Sequence, residues 1–160
     1  MVVVEEVTKK YGNKSVVDDV SVVIEKGTIT SFIGPNGAGK STLLSMISRL
    51  LPKDEGKIFI ENKEISECKT EDLAKKISIL KQSNHLNVRL TIRDLVSFGR
   101  FPYSKGNLTK EDIKHINQAI AYMELEDIQH KFLDELSGGQ RQRAFIAMVI
   151  AQDTEYVLLD

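Results

Sequence analysis

The sequence predicts an α/β fold arranged around a glycine-rich loop, and three observations carry that prediction. An apolar run from Thr28 to Ile33 leads into the segment Gly34 to Ser41, and a helical pattern follows it directly. β-branched runs precede this segment, while helical periodicity prevails after Leu90. A further apolar run, Tyr156 to Leu159, ends in a carboxylate. Strands and helices of both kinds are therefore expected in one domain.

The glycine-rich segment fits G-x-x-x-x-G-K-[ST], a pattern typical of phosphate-binding loops, and reads Gly34-Pro35-Asn36-Gly37-Ala38-Gly39-Lys40-Ser41. Its glycines let the backbone turn so that successive N–H groups face one concavity. The helix that continues through Thr42 adds free N–H groups and the positive end of its dipole. Lys40 can then reach the β- and γ-phosphates, and the Ser41 hydroxyl is placed to ligate a magnesium ion. This segment therefore predicts a nucleotide site.

Composition bounds the other possibilities. The chain has 160 residues, 28% of them charged, and a formal net charge of -1, so it lacks the basic surface that nucleic-acid binding usually leaves. Cys68 has no second cysteine to pair with, which suits a reducing compartment. The longest apolar run, Ala144 to Ala151, is less than half of the roughly 20 residues that a membrane-spanning helix needs. Any connection to a membrane is therefore expected to come through a partner.

The elements around the loop follow from periodicity and turn residues. Two strands, Val2 to Val7 and Val16 to Ile24, flank a turn-rich connection and predict a small sheet before the loop. Pro52 ends the loop helix, because proline cannot continue it. Beyond it we expect a strand at Lys57 to Ile60. A short helix should start at Thr70, with Leu73 and Ile77 on one face. A buried strand, Ile77 to Leu80, should then lead to Gln82.

The second half is predicted to be mainly helical. Thr91 and Asp94 have the form of a capping box, and the helix they open ends by Gly99. The segment Phe101 to Gly106 reads as a loop. A second helix starts near Thr109, and its core residues at helical spacing are Ile113, Ile116, Ile120 and Met123. A third helix is predicted over Arg141 to Ala151, with a run from Ala144 that is apolar on all sides. The last strand, Tyr156 to Leu159, follows it.

Two further features point to phosphate chemistry. Ser137, Gly138 and Gly139 stand immediately before a predicted helix and form another candidate nest for an anion. Asp160 ends an apolar strand, where a carboxylate can hold magnesium directly or through its water. The two candidate phosphate sites are separated by about a hundred residues. One nucleotide could touch both only if they come from different lobes or from different copies of the chain.

In this order and spacing, the chain resembles the ATP-binding subunit of an ABC transporter over its whole length. The resemblance implies a P-loop NTPase core, α/β in class, with an N-terminal antiparallel β-subdomain and an inserted α-helical subdomain, the C-terminal part of the core lying beyond residue 160. It divides the chain into 1–85 (β-subdomain and phosphate-loop core), 86–139 (helical subdomain with the signature) and 140–160 (signature helix and last strand). The motifs that carry it are Tyr11, Gly34 to Ser41, Gln82, Leu136 to Gln140, and the strand ending in Asp160.

The same resemblance implies roles for individual residues. Tyr11 would stack on the adenine of ATP, while Gln82 would help bind Mg²⁺ and sense a membrane partner. Ser137, Gly138 and Gly139, with Gln140, would close over the γ-phosphate held by a second copy in a head-to-tail homodimer. Lys40 and Gln82 would be the catalytic residues, and metal ligands would come from Ser41, Gln82 and Asp160. Nucleotide contacts would come from Tyr11, Gly34, Pro35, Asn36, Gly37, Ala38, Gly39, Lys40, Ser41, Thr42 and the Ser137 to Gln140 segment.

Expected partners are an integral membrane permease, on which residues 86 to 132 would dock, and a substrate-binding lipoprotein, with no nucleic acid. This places the protein at the cytoplasmic face of the membrane. Three segments resemble the iron-siderophore importer branch of the family: Thr91 to Val96, Gly99 to Tyr103 and Gln140 to Met148. The specific prediction is ATP hydrolysis that drives import of an iron-siderophore complex.

One departure from the family pattern concerns catalysis. In the family a glutamate that polarises the attacking water follows the strand aspartate, and a switch histidine comes later; neither is in this chain. His85, His115 and His130 are at other positions and are expected to be solvated surface residues. We therefore expect the chain to be the N-terminal part of a longer subunit that binds nucleotide weakly and does not hydrolyse it by itself.

Two alternatives remain at the level of sequence. A soluble mechanical ATPase of the same superfamily would act on ribosomes or chromosomes. The chromosome branch needs a long heptad insertion, yet only about fifty residues without sustained heptads separate Gln82 from Leu136. The ribosomal branch usually carries two cassettes in one chain, which downstream sequence would reveal. The other alternative is a non-hydrolysing fragment.

Overall fold

The computed structural model describes residues 1–82 and 88–160. Its strands are β1 (Val2–Tyr11), β2 (Lys14–Ile24), β3 (Glu55–Ile60), β4 (Lys63–Glu64), β5 (Ile77–Leu80) and β6 (Tyr156–Leu159). Its helices are α1 (Lys40–Ile47), α2 (Thr70–Ala74), α3 (Ile92–Phe98), α4 (Phe101–Ser104), α5 (Lys110–Tyr122) and α6 (Gly138–Gln152), with single 3₁₀ turns at Ile65–Glu67, Glu126–Ile128 and Leu133–Glu135.

The N-terminal strands form an antiparallel sheet with the order β2-β1-β3-β4. Val2 lies opposite Ile24 on one side and opposite Ile60 on the other, so β1 is the central strand of the three long ones. The pairing shifts between Val4 and Val7, where Glu6 has a φ of 50°. This bulge bends β1 and resets which side chains face the core. The predicted β-subdomain is thus present, and its hairpin turn consists of Gly12 and Asn13.

The segment Thr28 to Ile33, predicted as a strand, is not one in the structure. Ile29 and Ile33 are 99% and 95% exposed, and among the described residues no strand pairs with this segment. β-branched residues favour a strand only where a neighbouring strand supplies the hydrogen bonds and the packing. The segment therefore reaches the glycine-rich loop as irregular backbone.

The helices of the second half pack around one apolar cluster. α3, α5 and α6 contribute most of its members, and the residues with almost no exposed surface include Ile92, Val96, Ile116, Ile120 and Ala147. Thr91 and Thr109 each close a capping box with an aspartate three residues later, as predicted for Thr91. β5 and β6 pair in parallel, with Ile77 opposite Tyr156. The α/β class is confirmed.

Four local predictions are wrong. Phe101 to Ser104 forms α4 instead of a loop, because Pro102 lies in the first turn of this helix, where its missing N–H costs nothing. α6 begins at Gly138, three residues before the predicted Arg141. Ile77 lies in β5 and does not share a helix face with Leu73. Ile113, predicted as core, is 40% exposed.

The chain divides into two compact units, residues 1–73 with Asp160 and residues 74–159. Each has its own buried apolar residues; in the first unit these include Val4, Val7, Met46, Ile47 and Ile58. The subdomain boundary predicted between residues 85 and 86 falls on residues that are not described, and it stays a prediction. In the described part of the chain, no helix is both long enough and apolar enough to cross a bilayer.

Candidate functional site

The glycine-rich segment Gly34 to Ser41, called the phosphate loop below, turns sharply into α1. Gly39 has a φ of 87°, and a Cβ on it would lie 2.4 Å from the Val16 carbonyl oxygen of β2. Only glycine therefore allows this close approach in this conformation. Gly39 is also the N-cap of α1, and no side chain caps the helix there. The first N–H groups of α1 are left to an external acceptor, which is the arrangement of an anion site.

The Lys40 side chain folds back over this loop. Its ammonium donates hydrogen bonds to the carbonyl oxygens of Gly34 and Pro35, at 2.8 and 2.9 Å. The positive charge is therefore held at the loop, beside the uncapped start of α1. Both features favour a negatively charged group at this place.

Two of the three residues predicted as magnesium ligands are in contact, although they come from distant parts of the sequence. The Ser41 hydroxyl donates a hydrogen bond of 2.5 Å to a carboxylate oxygen of Asp160, which belongs to the same unit. Both groups are exposed, and both offer hard oxygen donors of the type Mg²⁺ prefers. Across the described residues there is no cluster of three or more His, Cys, Asp or Glu side chains that would enclose a metal ion. This donor set fits an ion that keeps several waters and substrate oxygens, as Mg²⁺ does.

A cavity of about 460 Å³ lies next to the phosphate loop. It extends from Gly39 and Lys40 along β2, and its volume is in the range of small-molecule sites. Its wall combines polar and apolar groups and consists of Val16, Val17, Asp18, Val20, Ser31, Phe32, Ile33, Ala38, Gly39, Lys40 and Leu43. The loop thus opens onto space beside the valines of β2.

Tyr11, predicted to contact the adenine, and Gln82, predicted to contact the magnesium ion, are both among the described residues. Tyr11 ends β1, is 53% exposed, and does not line the cavity wall. Gln82 is exposed and follows β5, as predicted, in the second unit. Of the histidines, His130 is exposed, whereas the His115 side chain is only 24% exposed and lies 3.5 Å from Glu111. His85 lies outside the described residues.

The signature segment, Leu136 to Gln140, forms the start of α6. Ser137 is the N-cap, and it exchanges hydrogen bonds with Gln140: its hydroxyl accepts from the Gln140 N–H, and its own N–H donates to the Gln140 side chain. Gly138 and Gly139 are exposed at the first two helical positions, and a Cβ on either would meet nothing within 4 Å. Packing within residues 1–82 and 88–160 therefore gives no reason for glycine at these two positions.

The sequence analysis did not predict a role for several residues that the structure places at or near these sites. The valines of β2 line the cavity because the antiparallel sheet brings them beside the loop, a long-range effect without a local motif. Lys9 lies close to Tyr11, and its spacing of two residues along a strand was an available signal. Arg100 is buried and pairs with Asp112. In the sequence, the only sign of it was its position in a segment that resembles the siderophore branch.

The fold and this loop define an α/β protein of the phosphate-loop class. The chain belongs to the ABC transporter family, because the model of the family described as "ABC transporter" matches residues 17–160. Over all 160 residues it is 68% identical to the petrobactin import ATP-binding protein YclP of Bacillus subtilis and 55% identical to FatE, a petrobactin import ATP-binding protein of Bacillus anthracis.

A solved structure supports the fold independently. The dimeric structure of a bacterial ABC transporter cassette superimposes with a TM-score of 0.85 at 31% identity, covering 100% of this chain and 73% of that one. The chain spans 64% of the length of YclP and of FatE while being covered completely itself. The predicted resemblance to the siderophore branch is confirmed by these relatives.

Proposed function

We propose that this chain is the nucleotide-binding part of an ATPase that drives import of an iron-siderophore complex through a separate membrane permease. The observation that carries the proposal is the convergence at the phosphate loop. An uncapped helix start, the Lys40 ammonium and the Ser41–Asp160 contact lie together beside a cavity. Each is what a magnesium-bound triphosphate requires.

The residues divide the work between binding and charge compensation. The loop and α1 N–H groups hold the phosphate oxygens, and Lys40 exchanges its loop carbonyl partners for the β- and γ-phosphates. Ser41 and Asp160 would hold a magnesium ion, which would supply charge neutralisation at the γ-phosphate. Gln82 stays a predicted further ligand. Tyr11 stacks on the adenine. Because the relatives at 68% and 55% identity are import ATP-binding proteins, a translation or chromosome factor is not favoured.

The second part of the proposal concerns the signature segment. Gly138 and Gly139 begin a 15-residue helix, are exposed, and have open space where a side chain would stand. Their N–H groups lie at the positive end of that helix. Glycine is explained there if another molecule approaches the backbone closely, and a triphosphate bound to the phosphate loop of a second copy is such a molecule. We therefore propose a head-to-tail homodimer.

The proposed partners follow from this assignment. Residues 86 to 132 dock on the permease, a lipoprotein delivers the cargo, and the ATPase sits at the cytoplasmic face of the membrane. The proposed cargo is petrobactin, which appears in the names of the relatives YclP and FatE. Transport of a radiolabelled ferric petrobactin by cells with and without the gene tests this part.

The Ser41→Ala variant tests the magnesium assignment in the full-length protein. Removing the hydroxyl deletes one metal ligand, so we expect affinity for Mg–ATP to fall about tenfold or more, toward that for ATP with a chelator. Affinity for metal-free ATP should not change. Calorimetric titration with and without Mg²⁺ measures both.

Ser45→Ala is the matched control, because Ser45 lies on the same face of α1 as Ser41 but one turn further from the phosphate loop. It should bind Mg–ATP as the unaltered protein does. Equal Mg–ATP affinity for Ser41→Ala would contradict the metal assignment, and no measurable ATP binding by the unaltered protein would overturn the proposed function.

A further inference from the structure

Lys9 contacts the ring of Tyr11, the residue that we propose stacks on the nucleotide base. Lys9 and Tyr11 are two residues apart on β1 and therefore project from the same face of the strand. The Lys9 ammonium is 5.7 Å from the centroid of the Tyr11 ring and over it, within the range of a cation–π contact. Tyr11 is still 53% exposed, so its ring remains accessible to a ligand.

The ammonium is fixed in this place by a carboxylate. Lys9 Nζ lies 2.7 Å from Asp54 Oδ1, and the Lys9 side chain is only 10% exposed. Asp54 is itself anchored to the same strand, because its other oxygen accepts from the Lys10 N–H at 2.7 Å and its own N–H donates to the Thr8 carbonyl at 3.0 Å. A flexible lysine is thus held in one position at the end of β1.

The hydrogen bonds to Asp54 favour its ionised form. The hydrogen bond from the Lys9 ammonium, and next the one from the Lys10 N–H, hold the pKa of Asp54 below its ordinary value. The carboxylate is therefore ionised at neutral pH and remains hydrogen-bonded to Lys9. By contrast, Lys10 pairs with Glu55 at the surface, with 49% and 62% of the two side chains exposed.

We propose that Lys9, held by Asp54, is a positioning residue that fixes the Tyr11 ring for stacking on the nucleotide base. The inference rests on the proposed function, because it takes Tyr11 as the base-stacking residue. Tyr11 ends its strand beside the Gly12–Asn13 turn, so the strand alone leaves the ring with few neighbours. The ammonium covers one face of the ring and restricts its rotation, and the opposite face is presented to the base. Lys9 itself contacts no part of the nucleotide.

A comparison of two ligands separates this role from a purely structural one. Mg–ATP uses both the base and the phosphates, whereas Mg–tripolyphosphate uses the phosphate loop alone. We expect Lys9→Met in the full-length protein to weaken Mg–ATP binding about two- to fivefold, the range of an exposed cation–π contact, and to leave tripolyphosphate binding unchanged. Tyr11→Ala should weaken Mg–ATP binding at least about fivefold, also without effect on tripolyphosphate.

Two further variants complete the calorimetric titrations. Lys10→Met removes the neighbouring surface lysine and should bind both ligands normally. Lys9→Arg keeps the charge and can still reach Asp54, so it should restore most of the Mg–ATP affinity.

The inference is overturned if Lys9→Met binds Mg–ATP normally while Tyr11→Ala does not, an outcome that leaves the proposed function intact. It is also overturned if Lys9→Met weakens both ligands equally, since Lys9 would then only support the sheet. Normal Mg–ATP binding by Tyr11→Ala would remove the base-stacking assignment together with the inference. Failure of the unaltered protein to bind either ligand would instead reject the proposed function.

Discussion

Lys40→Ala is expected to abolish ATP hydrolysis by the full-length protein, with a loss in kcat of at least about 100-fold. The Lys40 ammonium is held at the phosphate loop by the carbonyl oxygens of Gly34 and Pro35. In our account it moves from these partners to the β- and γ-phosphates, where negative charge builds up as the bond to the γ-phosphate breaks. Without it, that charge has no fixed cation from the loop. Phosphate release under saturating Mg–ATP measures the effect, and siderophore uptake should be lost with it.

The control for this prediction is Lys63→Ala. Lys63 lies on β4 in the same unit and is exposed, so the variant removes an equal charge at a place with no part in the site. It should hydrolyse ATP at the unaltered rate. Hydrolysis by Lys40→Ala at a rate similar to that of Lys63→Ala would refute the role assigned to the loop lysine.

Arg100→Ala is expected to lower the free energy of unfolding of the helical unit by about 3–5 kcal/mol, the cost of breaking a buried ion pair by removing one partner. Arg100 Nε donates to Asp112 at 2.9 Å, and the two side chains are only 5% and 4% exposed. Another guanidinium nitrogen donates to the Ala151 carbonyl at 2.9 Å, and the group lies 3.9 Å from the Tyr103 ring centroid. Arg100 thereby joins the end of α3 to α5 and α6.

The acid limb of this stability has a defined sign. Burial by itself raises the pKa of Asp112, but hydrogen bonds from the N–H and hydroxyl of Thr109 and from Arg100 together hold it below its ordinary value. A carboxylate with a lowered pKa contributes its full stability above the pKa of the unfolded chain. The contribution is lost as the pH falls through the lower pKa of the folded state. Arg100→Ala should therefore reduce the pH dependence of unfolding below about pH 4.

Hydrogen exchange of α3, α5 and α6 amides, together with urea unfolding, measures this prediction. Arg143→Ala is the matched control: its side chain is 41% exposed and lies 3.8 Å from Glu124, so the expected change is within about 0.5 kcal/mol. If Arg100→Ala unfolds at the same urea concentration as Arg143→Ala, the buried pair does not stabilise the unit as described.

Local chemistry was predictable from sequence where a few adjacent residues decide the structure. The capping box of Thr91 and Asp94 fixes a helix start, and Gly39 with Lys40 fixes the turn into α1. The same is true of Asp160, whose place after an apolar strand indicated a metal ligand, and whose carboxylate does contact Ser41.

Predictions failed where distant residues decide. Thr28 to Ile33 has strand-forming residues but no neighbouring strand among those described, and propensity cannot supply one. α4 is a different case: the segment was predicted as a loop, although Pro102 is compatible with the first turn of a helix. The ion pairs of Lys9 with Asp54 and of Arg100 with Asp112 join separate elements, so no local pattern marks them. The prediction that this chain alone does not hydrolyse ATP stays a prediction.

The measurement that tests the central claim most directly is cysteine cross-linking between two copies of the full-length protein. Both carry Cys68→Ser; one also carries Asn36→Cys in the phosphate loop, and the other, distinguished by a tag, Ser137→Cys in the signature segment. With a non-hydrolysable ATP analogue we expect a disulfide-linked heterodimer, and none when Lys63→Cys replaces Asn36→Cys. No link between the copies in the presence of nucleotide, or an equal yield of linked dimer from Lys63→Cys, would contradict a triphosphate held between two copies.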